Sequence, residues 1–549
     1  MKKVGLVFIG LVLVNILANF FFFRIDLTEE KRFSIADATK TMMGNLEETV
    51  FVKVYLDGEN FPAGFKRLQN SVKETLDEFK VAGGPKIGYR FIAPMAETDP
   101  EKRKKLQKEL IDKGLIPTNL VDNKGGTRRE TIVYPWAIVS CNGLEMPVML
   151  LKGTQGLTAE EKLNQSNENV EYELATAIRK LTTKTRKRIG LLSEFTSLEP
   201  IRFAGMINAL QQNYDLFIID SKKSATFTGL DAIILPKPDR PIDDSTKYKI
   251  DQFIVNGGRA LFFVDGLKVE NVGLDGSYAQ PVQHNLEDLF FKYGVRINTN
   301  LVKDGQSAAM IPMNVGQLGD KPNVQLIPFR FYPLINNFGK SLITNNIDIV
   351  FSKFASTIDT VQAAGISKTP LLLTSKYTKV LNAPVLVAFN EARTDTDPKA
   401  YLAGEKMIGI LLEGRFESLY KNRIFNTDVR SKTFKAMGEP SKIVICSDGD
   451  LVLNDLDRRS GNPLPLGFDG VSNHTFGNQD FVMNALDYLI DNNGIIAARG
   501  KDVKLRPLDK IKVRQEQTFW QALNMLLPVL IIIGFGAIWF YLRRKRYAK

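Results

Sequence analysis

The chain has 549 residues, of which 44% are hydrophobic and 24% are charged, and its formal net charge is +12. These proportions are typical of a globular protein and exclude a disordered or low-complexity chain. Two cysteines exclude a disulfide-rich scaffold, and with two distant histidines they cannot form a recognisable zinc site. The basic excess lies near the chain ends and at residues 179–188, and because no nucleic-acid module accompanies it we expect no nucleic-acid partner.

Two uncharged apolar stretches stand near the ends of the chain, at residues 4–23 and 519–542. Each is long enough to cross a hydrocarbon core of about 30 Å as a helix, and no third such stretch lies between them. A cleaved signal peptide is the alternative for the first stretch, but residues 19–23 offer no small-residue cleavage site. The sequence therefore predicts two transmembrane helices around a large folded body.

The charges beside these stretches predict their orientation. Lys2 and Lys3 precede the first stretch, so residues 1–3 form one basic tail. A second basic tail, residues 543–549, follows the second stretch and contains Arg543, Arg544, Lys545, Arg546 and Lys549. Basic tails stay cytoplasmic, so we expect both termini inside the cell and the body outside the cytoplasm. Arg24, Lys31 and Arg32 oppose this weakly, but long domains cross largely regardless of charge.

After the first stretch, residues 24–47 are predicted to form a juxtamembrane segment with a helix at 35–46, and residues 48–185 a first α/β domain. Periodicity and turn residues predict the elements of this domain. They are a strand at 49–56, a helix at 65–81, a strand at 86–92, a charged helix at 100–113, hairpin strands at 132–140 and 144–151, and a helix at 169–181. The Asn142-Gly143 pair between the last two strands is a strong hairpin signal.

The order of these elements, βαβαββα, resembles a thioredoxin-like domain. In that fold a cis-proline stands directly before the third strand, and Pro135 occupies the corresponding position, so we predict a cis peptide bond between Tyr134 and Pro135. Residues 57–62, where redox-active members carry Cys-x-x-Cys, contain no cysteine. A dithiol reaction needs those thiols, so the resemblance implies the fold without the redox activity.

Residues 186–498 are predicted to form a second, doubly wound domain. Apolar runs predict strands at 188–193, 216–219, 232–235 and 260–264, with helices at 201–211 and 245–256 between them. The phrase Leu-Asp-Ala-Ile-Ile-Leu-Pro at 230–236, followed by a helix and Gly257-Gly258, resembles the flavodoxin-like class I glutamine-amidotransferase fold. The amidotransferase cysteine is missing near Asp265-Gly266, so no triad is expected.

The rest of this domain is less regular. Residues 269–364, rich in Gly, Asn and Pro, are predicted to be an insertion. Later apolar runs are predicted to complete the same sheet, before a helix at 479–491. These runs are residues 371–374, 385–389, 408–412 and 442–446. A basic juxtamembrane linker, residues 499–518, then leads to the second apolar stretch and should meet lipid or partner loops.

Chemical motifs are few. Asp448, Asp450, Asp455 and Asp457 stand close together, but their spacing does not fit a calcium loop, so a solvated loop is favoured. No Walker A motif, nucleophile elbow or metal set is present, so we predict no catalytic, cofactor-binding or metal-binding residue. Each of Cys141 and Cys446 lies in a strand-like run, which favours buried free thiols.

Four features together resemble one family over nearly the full length. They are the juxtamembrane phrase Arg-Ile-Asp-Leu-Thr-Glu-Glu-Lys-Arg-Phe-Ser-Ile at 24–35, the order of the two domains, the phrase Gly-Asn-Gln-Asp-Phe-Val-Met-Asn-Ala at 477–485, and a terminal span followed by the basic tail. The family is that of the gliding-motility-associated ABC-transporter substrate-binding proteins, the G component of the Gld system. The resemblance implies a non-catalytic auxiliary subunit in the inner membrane, with a periplasmic body, a separate permease and a cytoplasmic ATPase.

Two other functions compete with this one. A genuine solute- or glycan-binding component is the main alternative, although two membrane anchors would restrict its motion. An enzyme of amidotransferase or redox ancestry is disfavoured by the missing nucleophiles.

The first apolar stretch also predicts a helix–helix contact. Asn15 and Asn19 are four residues apart and therefore share one face. An amide facing lipid would lose hydrogen bonds, so this face should contact protein. One partner is the second span of the same chain, whose polar and small residues are Asn524, Gly534 and Gly536. We favour the permease for at least part of the contact, because two helices alone leave most of each surface exposed.

Overall fold

Two separate β-sheets organise the folded body, one in each of two lobes. The computed structural model describes residues 34–58, 61–96, 99–124, 127–152, 158–183, 185–270, 272–395, 397–423, 434–457, 459–491, 494, 496, 498 and 516–547. Residues 1–501 form one unit, which contains both lobes, and residues 502–549 form another. The predicted first span, residues 4–23, and with it Asn15 and Asn19, lies outside the described residues.

The first lobe covers residues 34–183 and alternates helices with strands. Its described helices are α1 (Asp37–Gly44), α2 (Ala63–Gly83), α3 (Pro100–Asp112) and α4 (Ala159–Thr182). Its described strands are β1 (Val50–Val54), β2 (Ile87–Phe91), β3 (Thr118–Lys124), β4 (Thr127–Val133), β5 (Trp136–Cys141) and β6 (Leu144–Met149). The order agrees with the predicted elements, apart from the additional hairpin β3–β4.

Four strands of the first lobe form a mixed sheet in the order β2-β1-β5-β6. β1 is parallel to β2, whereas β5 is antiparallel to both β1 and β6. Val50, Val52 and Val54 alternate along β1 and are fully buried. They pack against the apolar stripe of α2, in which Leu68, Val72, Leu76 and Phe79 are also fully buried. The period of two on the strand and of three to four on the helix explains why both elements were predictable.

The hairpin between β5 and β6 turns at Asn142 and Gly143, which have φ angles of 50° and 79°. Positive φ at both central residues is the requirement of a type I′ turn, the tight connection that matches the twist of paired strands. Cys141 and Leu144 are partners in the ladder on either side of the turn. The predicted hairpin is confirmed.

The second lobe covers residues 185–498. Its described helices are α5 (Ala204–Asn213), α6 (Asp244–Val255), α7 (Glu287–Tyr293), α8 (Glu391–Thr394) and α9 (Asn478–Ile490). Its described strands are β7 (Arg188–Leu191), β8 (Asp215–Ile218), β9 (Ala232–Pro236), β10 (Arg259–Phe263), β11 (Leu267–Lys268), β12 (Ser277–Pro281), β13 (Val295–Ile297), β14 (Asn300–Asp304), β15 (Ala308–Leu318), β16 (Lys321–Ile335), β17 (Asn337–Phe338), β18 (Val350–Phe351), β19 (Ile358–Thr360), β20 (Ile366–Leu373), β21 (Thr378–Asn382), β22 (Val385–Val387), β23 (Met407–Glu417), β24 (Met437–Cys446), β25 (Phe468–Asp469) and β26 (His474–Thr475).

Eight of these strands form the central sheet, in the order β17-β20-β23-β24-β10-β9-β7-β8. The five strands from β24 to β8 are parallel, and β23, β20 and β17 continue the sheet with antiparallel pairing. Leu261 and Phe263 of β10 face the core beside α5 and α9, whereas Ala260 and Phe262 face the core beside α6 and α7. Helices therefore cover both faces, which explains the near-continuous apolar runs of the parallel strands.

The predicted insertion is larger than residues 269–364. Small sheets outside the central one pair β11, β12 and β22, β13 with β19, β14 with β21, and β15, β16 and β18. The prediction that residues 385–389 belong to the central sheet is wrong, because β22 pairs with β12 of the insertion. An apolar run shows that a strand is buried but not which partner buries it, and here Val385 and Val387 join the core of the insertion.

Helix α4 connects the two lobes. Leu174 and Ile178 on one side of the helix are fully buried in the core of the first lobe. On another side, Arg179 Nη2 lies 2.8 Å from Asp487 Oδ1 of α9 in the second lobe. The same carboxyl oxygen accepts a hydrogen bond of 2.8 Å from the Tyr214 hydroxyl. Asp487 is 5% exposed and Arg179 is partly buried, so a largely buried ion pair joins the lobes.

The unit at residues 502–549 contains α10 (Gln517–Tyr547), a helix of 31 residues. Within the part of the chain that the structure describes, it is the helix long and apolar enough to span a membrane, with a mean hydropathy of 2.3 in its most apolar window. Its last turn contains Arg544, Lys545 and Arg546. Pro528 lies inside the helix and has no N–H to donate to the carbonyl of Asn524.

We predict that Asp487→Asn lowers the free energy of unfolding by about 3 kcal/mol, because it removes one partner of a buried ion pair and leaves the Arg179 guanidinium uncompensated. Urea unfolding measures the change. Asp480→Asn, at an exposed position of the same helix, should stay within about 0.5 kcal/mol of the wild type. Equal stability of the two variants would contradict the role of Asp487.

Candidate functional site

Charged side chains meet where three neighbouring parallel strands end. Lys237 follows β9, Asp265 comes two residues after β10, and Asp448 and Asp450 follow β24. The carboxyl ends of parallel strands are the edge at which α/β proteins generally bind ligands. Lys237 Nζ lies 2.6 Å from Asp265 Oδ2 and 2.7 Å from Asp450 Oδ2. We call these four residues the lysine–aspartate cluster.

The backbone around Lys237 is unusual. Its φ angle is 44°, in the left-handed region that a non-glycine residue rarely adopts. Gly449 packs against it so closely that a Cβ there would lie 2.5 Å from the Lys237 side chain. The Gly449 N–H also donates a hydrogen bond of 2.5 Å to Asp265 Oδ1. The loop after β24 therefore needs glycine at this position, in order to reach both neighbouring strand ends.

Asp448 is fully buried and joins the central sheet to the insertion. Its Oδ2 accepts hydrogen bonds of 2.5 Å from Ser352 Oγ and 2.9 Å from the Lys353 N–H, just after β18. Its Oδ1 accepts one of 2.7 Å from the Asp450 N–H. Burial, with the nearby carboxylates of Asp450 and Asp265, raises the pKa of Asp448 to about 8. This carboxyl group is therefore mostly protonated at neutral pH.

The other three charged side chains of the cluster interact through Lys237. Burial by itself lowers the pKa of Lys237, but Asp265 and Asp450 outweigh it and hold the pKa above its usual value. Burial raises the pKa of Asp265, and the Lys237 ammonium opposes that effect. A lysine nucleophile or base needs a lowered pKa. Lys237 therefore stays an ammonium ion that binds carboxylates, and it is not available as a nucleophile.

One oxygen from each of Asp265, Asp448 and Asp450 lies within 4.8 Å of the others, a spacing that a divalent cation accepts. The Lys237 ammonium already binds two of the three carboxylates at hydrogen-bond distance. Its single positive charge offsets part of the negative charge that would otherwise attract a metal ion.

The predicted solvated loop is wrong for Asp448 and Asp450, which belong to the buried cluster. Asp455 fits the prediction better, because it is partly exposed and lies 3.6 Å from Arg202 and 3.4 Å from Lys353. Asp457 is half-buried and closes a surface turn by accepting a hydrogen bond from the Ser460 N–H. The local sequence around Asp448 and Asp450 predicted exposure because it does not contain Lys237, the distant cation that pairs with Asp450 in the fold.

Sequence reasoning did not identify Lys237 and Asp265 as members of a site. A signal was present, because each follows a short apolar run that was correctly predicted as a parallel strand. Since parallel strands end at one edge, charged residues directly after such runs are expected to come together.

The predicted cis bond at Pro135 is wrong. The cis peptide bond found among the described residues joins Ala383 and Pro384, and Tyr134–Pro135 is trans. The Trp136 N–H donates a hydrogen bond of 2.8 Å to the Tyr134 carbonyl. This is the bond of a γ-turn centred on proline, whose fixed φ suits that turn, so the chain enters β5 without a cis bond.

Both cysteines lie at the ends of strands, Cys141 in β5 and Cys446 in β24. Cys141 and Cys446 are buried free thiols, as predicted. In the segment that replaces the Cys-x-x-Cys of redox proteins, Asp57 accepts hydrogen bonds from the Gly58 N–H at 3.0 Å and from Gln69 Nε2 at 2.7 Å.

The predicted helix–helix residues are only partly described. Asn15 and Asn19 lie outside the described residues, whereas Asn524, Gly534 and Gly536 lie on α10. Residues two positions apart on an α-helix are separated by about 200° around its axis, so Gly534 and Gly536 lie on opposite faces. A Cβ at either glycine would meet no atom within 4 Å. The contact stays a prediction, and a single partner helix would use only one of the two glycines.

These features define a class, an α/β protein of two lobes with a separate apolar helix long enough to anchor it in a membrane. The chain belongs to the family described as ABC-type uncharacterized transport system (ABC_transp_aux), whose match covers residues 186–485, more than half of the chain. Residues 29–140 match a domain of unknown function, DUF7088. Membership implies association with an ABC transporter complex and a transport-related accessory role.

Comparisons with individual proteins give less information about this chain than the family match does. An uncharacterized protein of Borreliella burgdorferi is 24% identical over 435 residues, which are 76% of this chain and 78% of the relative. The mmIFT52 N-terminal domain is 11% identical with a TM-score of 0.30, covering 55% of this chain and 96% of that chain. A ThuA-like protein of Parabacteroides merdae is 10% identical with a TM-score of 0.24, covering 59% and 94%. Scores this low do not establish a shared fold.

We predict that Asp448→Asn changes how stability depends on pH. A carboxyl group whose pKa is raised by folding contributes stability that is present below its ordinary pKa near 3.8 and is lost as pH rises through about 8. Asparagine has no proton to lose, so the difference in stability between the variant and the wild type should shift in favour of the variant as pH rises from 5 to 8, by at most about 1.4 kcal/mol per pH unit.

Urea unfolding at several pH values measures this difference. Asp457→Asn, a change outside the buried cluster on the same stretch of chain, is the control, and its effect on stability should not vary over the same pH range. Parallel pH curves for Asp448→Asn and the wild type would contradict a protonated, buried Asp448.

Proposed function

We propose that this chain is a non-catalytic, doubly membrane-anchored auxiliary subunit of an ABC transporter complex required for bacterial gliding motility, the G component of the Gld system. The family match over residues 186–485 supports the accessory role. Helix α10 supports membrane anchoring. The gliding assignment rests on the sequence phrases at 24–35 and 477–485.

The topologies of the two lobes support the finer fold assignments of this proposal. In the first lobe, the order β2-β1-β5-β6, with β5 opposed to its neighbours, is that of a thioredoxin-like sheet. In the second, the parallel order β8-β7-β9-β10-β24 is that of a flavodoxin-like sheet. We propose that both lobes descend from enzyme-like folds and now serve protein interaction or coupling.

The lysine–aspartate cluster is the main observation that supports the non-catalytic role in this proposal. It occupies the edge where a flavodoxin-like enzyme would bind its substrate. Lys237, Asp265 and Asp450 satisfy each other, and Asp448 is held by Ser352. Catalytic groups need partners on a substrate, whereas these groups have their partners within the chain.

In this proposal the body lies in the periplasm, both tails lie in the cytoplasm, and the spans contact a separate permease. A cytoplasmic ATPase acts through that permease. Interactions of the two spans and of the basic linker with lipid and permease would place the body beside the transport path.

Affinity purification from native membranes tests the proposal. We expect an ABC-type permease and a Walker-motif ATPase to co-purify with the tagged chain. Changing Asn15 and Asn19 together to Leu should weaken this co-purification, because interhelical amide bonds contribute roughly 0.6–2 kcal/mol each. Mass spectrometry of the purified complex measures the yield of each partner.

Leu13→Ala with Leu17→Ala, on the predicted opposite face of the first span, is the matched control and should leave the yield unchanged. Normal membrane insertion of each variant is checked in parallel. Purification of the wild-type chain without permease or ATPase would contradict the accessory role and favour the alternative, a solute- or glycan-binding component.

A further inference from the structure

A cavity of about 540 Å³ lies at the opposite edge of the central sheet from the lysine–aspartate cluster. Its walls come from residues 225–231 before β9, from the end of α6, and from residues 257–259 at the start of β10. The cavity is thus at the amino ends of the parallel strands, away from the edge that the fold usually uses. Its volume is within the range of small-molecule sites, roughly 300–1,000 Å³.

The charges around this cavity do not balance. Its lining contains three basic side chains, Lys187, Lys249 and Arg259, and one acidic side chain, Asp231. Lys187 Nζ lies 2.8 Å from Asp231 Oδ1, so these two charges neutralise each other. Two positive charges remain on the wall.

Lys249 and Arg259 bind only backbone carbonyls among the described residues. Lys249 Nζ donates a hydrogen bond of 2.7 Å to the Ser221 carbonyl. Arg259 Nε donates one of 3.1 Å to Leu489, and Nη1 one of 3.0 Å to Pro440. Carbonyls orient these side chains but do not neutralise them, and guanidinium keeps its charge at any ordinary pH. The two cations are therefore positioned without a counter-charge.

Part of the wall is apolar. Phe227 is 3% exposed, and its ring meets that of Phe253 edge to face at 6.2 Å. Leu230 and Leu489 also line the cavity. A site with an apolar wall and a few oriented charged groups is the usual composition of a small-molecule pocket. Two unneutralised cations beside such a wall fit an anion that carries two negative charges and an apolar group.

We propose that this cavity binds an organic dianion, with a phosphate monoester of an apolar group as its simplest form. Lys249 and Arg259 would bind the charged oxygens, and Phe227 and Phe253 the apolar group. Charge-assisted hydrogen bonds to such oxygens are roughly twice as strong as neutral ones. The inference goes beyond the accessory role, because it gives the subunit a ligand of its own, and failure to bind the anion would leave that role untouched.

Phenyl phosphate is the probe, and isothermal titration calorimetry on the full-length chain in phosphatidylcholine nanodiscs measures its affinity. We expect saturable binding that weakens with salt, and no binding of benzyl alcohol, which has the apolar ring without the charge. Lys249→Gln should weaken binding by about tenfold, Lys249→Glu should abolish it, and Lys249→Arg should retain it.

Lys223→Gln, which removes an exposed lysine outside the cavity, is the matched control and should leave the affinity unchanged. Far-ultraviolet circular dichroism confirms that each variant is folded, and retention of binding by Lys249→Arg separates loss of charge from loss of structure. Absence of binding at millimolar phenyl phosphate, equal binding of benzyl alcohol, or unchanged binding to Lys249→Glu would overturn the proposal.

The same chemistry could come from a lipid headgroup or from a soluble phosphate ester. Adding phosphatidic acid to the nanodiscs distinguishes these sources. Weaker binding of phenyl phosphate to the wild type identifies the lipid headgroup as a competing ligand, and unchanged binding identifies a soluble ester. Both results support the dianion site, provided that Lys249→Glu binds neither.

Discussion

A lysine ammonium between buried carboxylates is the interaction on which the second lobe depends. Three parallel strands end in charged residues, and charges removed from water must be neutralised within the chain. Lys237 binds both Asp265 and Asp450 and offsets part of their negative charge, and Asp448 becomes neutral by keeping its proton. Because Ser352 of the insertion donates to Asp448, the same cluster also fixes the insertion to the sheet.

The cluster gives the carboxyl edge of the central sheet a structural role. The carboxyl edge of a parallel sheet normally presents unpaired groups to a ligand. Here those groups bind one another, so the edge contributes to stability. The second buried ion pair, Arg179 with Asp487, acts at the other end of the lobe and holds α4 of the first lobe against α9. Both lobes are thereby built as one body that can act as a unit beside a transporter.

Much of the fold was predictable from local pattern. The strands at Val50–Val54 and Ala232–Pro236 and the helix at Ala63–Gly83 have clear periodicity, and the structure places them within about two residues of the predicted bounds. The turn at Asn142-Gly143 was predictable because its residue types permit few other conformations. Pairing over long distances was not predictable, and the strand at residues 385–389 was assigned to the wrong sheet for that reason.

The candidate site shows the same limit. The members of the lysine–aspartate cluster are up to 213 positions apart in the chain, so no local sequence spacing identifies them. Acidic residues near Asp448 were interpreted as solvated because their cation follows a different strand. Pro135 was assigned a cis bond by analogy with a fold, whereas its own γ-turn accepts the trans form. Topology had to be known before these residues could be understood.

Urea unfolding of a Lys237→Met variant tests the central claim most directly. Methionine keeps the length of the side chain but removes its charge, leaving Asp265 and Asp450 uncompensated. The account predicts a loss of about 3–5 kcal/mol in the free energy of unfolding, and partial recovery when Asp265→Asn is added. Stability within about 0.5 kcal/mol of the wild type would show that Lys237 does not hold the strand ends together, and would contradict the account.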